Sequence, residues 1–189
     1  MTDEQPRPWR RIATRLIWQS QWYDLRQDVV RIHTGATITY TYQDHPGAVM
    51  VVPVTPDGRV VMLRQYRYLL AAWSWEAPAG GVHPGETASA AAARELAEET
   101  GYAAGALVPL GGYYPSKSVS NERLDLFLAT GVTPLPAVPA HEPTELLRVH
   151  LRPLAEAVAM VHGGEITDAQ TALALLLAAH RLGSAAAGG

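Results

Sequence analysis

Residues Gly80–Tyr102, GGVHPGETASAAAARELAEETGY, constrain this chain more than any other stretch. From Glu86 to Thr100 the segment is Ala-rich and free of Gly and Pro, which predicts a helix that Gly101 closes. On that helix Glu95, Glu98 and Glu99 stand at i, i+3 and i+4 and share one face. Three like charges there repel each other, and they lie toward the C-terminal end, where the macrodipole disfavours them. Such a local conflict concentrates where something else resolves it. A hard divalent cation held by carboxylate oxygens, Mg²⁺ or Mn²⁺, resolves it; the competing account is a solvated acidic face. Arg94 stands four residues before Glu98 and is placed to pair with it, and Glu86 to reach Arg94 from the helix start. Gly80, Gly81 and Gly85 let the backbone approach a ligand closely.

In order, Gly80, Glu86, Arg94, Glu95, Leu96, Glu98, Glu99, Gly101 and Tyr102 spell G-x5-E-x7-R-E-U-x-E-E-x-G-U, where U is bulky and apolar. This resembles the Nudix box, with Tyr102 where an aliphatic residue is commoner. The resemblance implies an α/β fold, an αβα sandwich with a mixed sheet. It also implies metal-dependent attack of water on a diphosphate linked to another moiety. By position, it makes Glu95 and Glu99 the principal metal ligands, assisted by Glu98 and the carbonyl of Ala79. Arg94 and Glu86 would orient the glutamates.

The rest of the chain resembles the ADP-ribose pyrophosphatase branch of that family. RQYR at Arg64–Arg67 and WSWEAPAGG at Trp73–Gly81 match its R-Q-y-R and E-x-P-A-G elements. The match makes Arg67 a phosphate contact and places Glu76, Gly80 and Gly81 beside the substrate. Pro115, Ser116, Ser120 and Glu122 match a proline-and-serine loop that ends in Glu, although Lys117-Ser118 replaces its usual Pro-Gly. GEITDAQT, Gly164–Thr171, matches a C-terminal element. The branch takes a water-positioning carboxylate from an acidic loop, here Ala140–Val149. That makes Glu142 and Glu145 the candidates, with Glu122 a third. The branch forms homodimers whose N-terminal strands cross to the partner, and aromatic residues there sandwich adenine; Trp22 and Tyr40 occupy the matching places.

The implied activity is Mg²⁺-dependent hydrolysis of a nucleoside diphosphate sugar, foremost ADP-ribose to AMP and ribose 5-phosphate. GDP-mannose, ADP-glucose and a flavin dinucleotide are the alternatives. A nucleotide sensor without catalysis is the reading from another class, but such modules tend to lose box glutamates, and all are present here.

Around the helix, Ala48–Thr55 is nearly all apolar, as in a strand buried on both faces. Pro56-Asp57-Gly58 and Arg59–Tyr68 follow it, a hairpin signal. Gln21–Gln43 predicts two or three antiparallel strands, with Met1–Ile17 before them as a loose basic arm. Further strands are expected at Ala106–Tyr114, Arg123–Thr130 and Glu145–Leu151, and helices at Pro153–Val161 and Thr167–Leu182. The expected organisation is a β-sheet arm over 1–45, exchanged in a dimer, a hydrolase domain over 46–183 and a disordered tail over 184–189.

The chain has 189 residues, no cysteine and a net charge of −3. This excludes thiolate chemistry and gives no electrostatic reason for a nucleic-acid partner. No run reaches the ~20 apolar residues of a membrane span. The expectation is a cytoplasmic protein without membrane or nucleic-acid partners.

Overall fold

A computed structural model of the chain describes residues 8–137 and 146–187. The strands are β1 (Arg10–Gln19), β2 (Asp24–Arg31), β3 (Thr37–Asp44), β4 (Ala48–Pro53), β5 (Arg59–Arg67) and β6 (Ala72–Glu76). They continue with β7 (Ala79–Gly81), β8 (Tyr102–Ala103), β9 (Ala106–Tyr113), β10 (Leu124–Thr130), β11 (Thr133–Pro134) and β12 (Leu147–Pro153). The helices are α1 (Ala88–Thr100), α2 (Leu154–His162) and α3 (Ala169–Ala187). Two compact units result: residues 1–46 with 114–123, and residues 47–113 with 124–189.

In the larger unit a four-stranded sheet runs β7-β4-β10-β9. The β4–β10 pair is parallel and its neighbours are antiparallel, so the sheet is mixed. Strands β12-β5-β6 form a second, antiparallel sheet. Alternation along β4 sends Val49 and Val51 to a cluster with Ala91, Ala92 and Leu96 of α1. Met50 and Val52 go to the opposite cluster, with Ala157 and Met160 of α2 and Ala174 and Leu175 of α3. A strand buried on both faces between helices is the αβα sandwich, and both layers rest on this period of two.

The turn after β4 forms as expected: Thr55 N–H donates to the Arg59 carbonyl (2.8 Å), and Gly58 takes φ 79°. The hairpin does not extend. Beyond the Val54–Val60 bridge the two strands enter different sheets. Each is central in its own sheet and spends its hydrogen bonds on two other neighbours. Strands β6 and β7 form where no strand is expected, and along β6 Trp73 and Trp75 alternate with buried Ser74 and Glu76. Trp75 lies under two guanidinium groups, Arg64 at 5.1 Å and Arg152 at 5.3 Å from its ring centre. Helix α3 runs to Ala187, past Leu182, through residues expected as tail; Ala is the strongest helix former.

Thr171 of α3 is fully buried, and its hydroxyl accepts the Ala77 N–H at 3.0 Å. This bond ties α3 to the link between β6 and β7. Thr171→Val keeps the volume but leaves that N–H without its acceptor, which costs about 1–3 kcal/mol. A urea titration is expected to show the loss; a stability change below about 0.5 kcal/mol would mean that the N–H finds another acceptor.

In the smaller unit β1, β2 and β3 form an antiparallel sheet. Residues Arg10–Gln19 are therefore an edge strand and not a loose arm. Two register shifts, between Arg11 and Ala13 and between Leu16 and Trp18, displace the alternation by which a strand is read. Every residue of β1 is exposed, including Ile12, Leu16, Ile17 and Trp18.

Candidate active site

Helix α1 starts two residues later than its composition suggests. Thr87 caps it, accepting the Ala90 N–H at 3.2 Å. Glu86 thus stands on the turn before the helix, where its own N–H donates to the His83 carbonyl (3.0 Å). At the other end Gly101 adopts φ 71° and donates to the Ala97 carbonyl (2.9 Å), a left-handed cap that favours glycine.

The three helix glutamates separate by burial. Glu95 and Glu99 are 8% and 5% exposed, whereas the Glu98 side chain is half exposed. A solvated acidic face does not describe two buried carboxylates one turn apart, because burying a charge requires compensation. Arg94 supplies much of it. Its Nε donates to Glu86 Oε1 (3.0 Å) and one terminal nitrogen to Glu86 Oε2 (3.0 Å) and the Gly81 carbonyl (2.8 Å). Its other terminal nitrogen donates to both Glu95 Oε1 (2.7 Å) and Glu98 Oε2 (3.0 Å). Glu99 accepts the Ala79 N–H at 2.8 Å. One guanidinium therefore joins the glycine strand, the turn and the helix.

The hydrogen bonds with Glu86, and after them those with Glu95, hold the Arg94 guanidinium above its ordinary pKa. In return Arg94, helped by the His83 amide, pulls the Glu86 carboxyl down from 4.5 to about 2. A lowered folded-state value adds stability that is complete above about pH 4.5 and fades as pH falls toward 2. Glu86→Gln is thus expected to lower the urea midpoint by a constant amount at neutral pH, with the gap to the unaltered chain closing below pH 4.5. A gap that widens on acidification would reverse the assignment.

Gly80 explains itself sterically. A Cβ built there would lie 2.0 Å from Glu95 Oε1, so the carboxylate packs against the bare backbone. Gly81 has no such neighbour. Three carboxylates and a backbone cradle form an all-oxygen donor set that suits a hard divalent cation. Among the described residues no three acidic or imidazole side chains already converge as a closed ligand set. Glu95 and Glu98 share one Arg94 nitrogen, each through one carboxylate oxygen.

Beside this face, in the same unit, opens a cavity of about 400 Å³. Ala79, Arg67 and Glu76 line it, with Ser74, Asp168 and Gln170. Arg67 and buried Glu76 form a side-on pair, Nε to Oε1 at 2.9 Å with a second, shorter contact from Nη2 to Oε2. That pair raises the Arg67 pKa against the opposing effect of burial, with Glu99 and Asp168 adding to the rise. Asp168 and Gln170 belong to the GEITDAQT element, the signal by which this wall could have been found from sequence.

The smaller unit holds the remaining candidates. Tyr40 lines a cavity of about 380 Å³ with Tyr42, Tyr114, Lys117, Ser120 and Asn121, and its hydroxyl donates to the Ser118 carbonyl (2.9 Å). Trp22 is 60% exposed and does not line it, so one chain does not bring Trp22 and Tyr40 around a common space. Glu122 lies 3.8 Å from His45 Nδ1. Glu142 and Glu145 lie outside the described residues.

A match to the NUDIX domain family spans residues 44–175. The chain is 34% identical over 164 residues to the ADP-ribose pyrophosphatase of Bacillus subtilis (strain 168), covering 87% of this chain and 89% of that one. It is 35% identical over 159 residues to the ADP-ribose pyrophosphatase of Mycobacterium tuberculosis (strain ATCC 25618 / H37Rv), covering 84% and 76%. The fold superposes on a crystal structure of an ADP compounds hydrolase with a TM-score of 0.81 at 22% identity, covering 96% and 97% of the two chains.

Proposed function

The chain belongs to the Nudix family, and from that premise we propose that it hydrolyses ADP-ribose to AMP and ribose 5-phosphate. The observation that carries this reading is the pair of buried carboxylates, Glu95 and Glu99, held beside a polar cavity by Arg94 and the Ala79 N–H. Two relatives named for the same activity, each matched along most of its length, support the substrate.

Glu95, Glu99, Glu98 and the Ala79 carbonyl would hold the ion, Mg²⁺ or Mn²⁺. Bound there, it supplies neutralising charge at the diphosphate and a water of lowered pKa. Arg94 and Glu86 keep the glutamates facing the glycine strand. Arg67, fixed by Glu76, presents its remaining donors to a phosphate oxygen. Glu122, Glu142 or Glu145 takes the proton of the attacking water. Trp22 and Tyr40 stack on adenine from two protomers of a homodimer, and the exposed apolar side chains of β1 support that assembly. No helix among the described residues is long and apolar enough to cross a membrane. We place the enzyme in the cytoplasm.

A substrate panel with Mg²⁺, scored by product identity, tests this. AMP released from ADP-ribose ahead of ADP-glucose, GDP-mannose, NADH, FAD and a nucleoside triphosphate is the expected result. Preference for another diphosphate would move specificity to the Lys117-Ser118 loop. Tight nucleotide binding without turnover would make the protein a sensor.

A further inference from the structure

The cavity beside α1 has a wall that neither the glutamate face nor the Arg67–Glu76 pair explains. Thr167, Asp168 and Gln170 enter it from the start of α3, and Ser74 from β6. Asp168 uses Oδ2 to cap the Thr171 N–H at 2.8 Å. Gln170 is half-buried, and its amide has no hydrogen-bond partner among the described residues. Across the β5–β6 pair, Gln65 stands opposite Ser74, and its Oε1 is buried without a donor. A polar group left so has hydrogen bonds to make, and of these two amides Gln170 is the one that lines the cavity.

The lining also says what would make them. Among the described lining residues Glu76 and Asp168 repel an anionic group, and Arg67 is the one cation, whose donors beyond its pair with Glu76 serve the diphosphate and not a further charged group. No aromatic ring lines the cavity among the described residues, so they offer a second nucleobase no stacking surface there. Carboxylate, amide and hydroxyl groups together suit a neutral ring bearing several hydroxyls, each both donor and acceptor. The exposed Leu69 and Leu70 add an apolar rim for its C–H faces.

We infer that this cavity receives the sugar on the far side of the scissile diphosphate, and that Gln170 reads its hydroxyls and so sets sugar specificity. The inference rests on the hydrolase reading above. It is tested by kcat and KM for ADP-ribose and for ADP methyl ester, which keeps the diphosphate and lacks the sugar. Gln170→Ala is expected to raise KM for ADP-ribose about three- to tenfold, the value of one hydrogen bond, and to leave KM for the methyl ester unchanged. For both compounds kcat is expected to stay within about threefold, as for binding lost equally from ground and transition states. An unchanged KM for ADP-ribose, or an equal rise for both compounds, overturns the inference while the hydrolase reading stands. No turnover of either compound by the unaltered chain overturns both.

Discussion

Glu99→Gln is expected to lower kcat by more than about 100-fold while leaving the unfolding midpoint nearly unchanged. Glu99 is 5% exposed and accepts the Ala79 N–H at 2.8 Å. Glutamine has the same shape, and its amide oxygen can still accept that N–H. What disappears is the charge, and with it a ligand for the divalent ion. Turnover measured against Mg²⁺ concentration, beside a urea titration, separates the two consequences. Turnover within a few-fold of the unaltered chain would remove α1 from the reaction.

Gly80→Ala attacks the same face from the opposite side. The added methyl would sit 2.0 Å from Glu95 Oε1 and 2.1 Å from its carboxyl carbon, closer than atoms can pack. The clash falls on the end of a flexible side chain and not on backbone, so Glu95 moves and the fold survives. The expected result is a loss of turnover of about 10- to 100-fold, with a higher Mg²⁺ requirement and a small change in stability. Gly81→Ala is the control: nothing lies within 4 Å of a Cβ there, so a Cβ meets no clash. Equal losses at both positions would mean that both glycines serve the ligand and not Glu95.

These two experiments test different readings of one motif. That Glu95 and Glu99 matter is what the resemblance of the motif implies; the helix itself only crowds three like charges onto one face. That Gly80 is needed for Glu95 does not follow from the chain order, because fifteen positions separate them. The same distinction runs through the fold. The apolar run of β4 announced burial on both faces, and the alternation of Val49, Met50, Val51 and Val52 delivers it. The turn at Pro56–Gly58 was legible from local propensity, yet the parting of β4 and β5 was not, since a turn does not say which strands will pair beyond it. Strand β1 escaped notice because its two register shifts break the period of two. Strand β6 escaped because its five residues run straight into the Pro- and Gly-rich stretch after Glu76.

By itself the sequence determined the motif and, through the family it resembles, implied the reaction chemistry: the order of glutamates, arginine and glycines on and around one helix, whose spacing is set by 3.6 residues per turn. Short-range geometry of that kind is encoded residue by residue. Only the tertiary structure decided which carboxylates are buried, that Arg94 also bridges to Gly81 and Glu95, and how α3 meets the link after β6. It alone brought Asp168 and Gln170 to the same cavity as Ala79. The longest of those relations reaches from Ala77 to Thr171, and packing selects them: each buried charge or amide settles where a partner from another element can reach it.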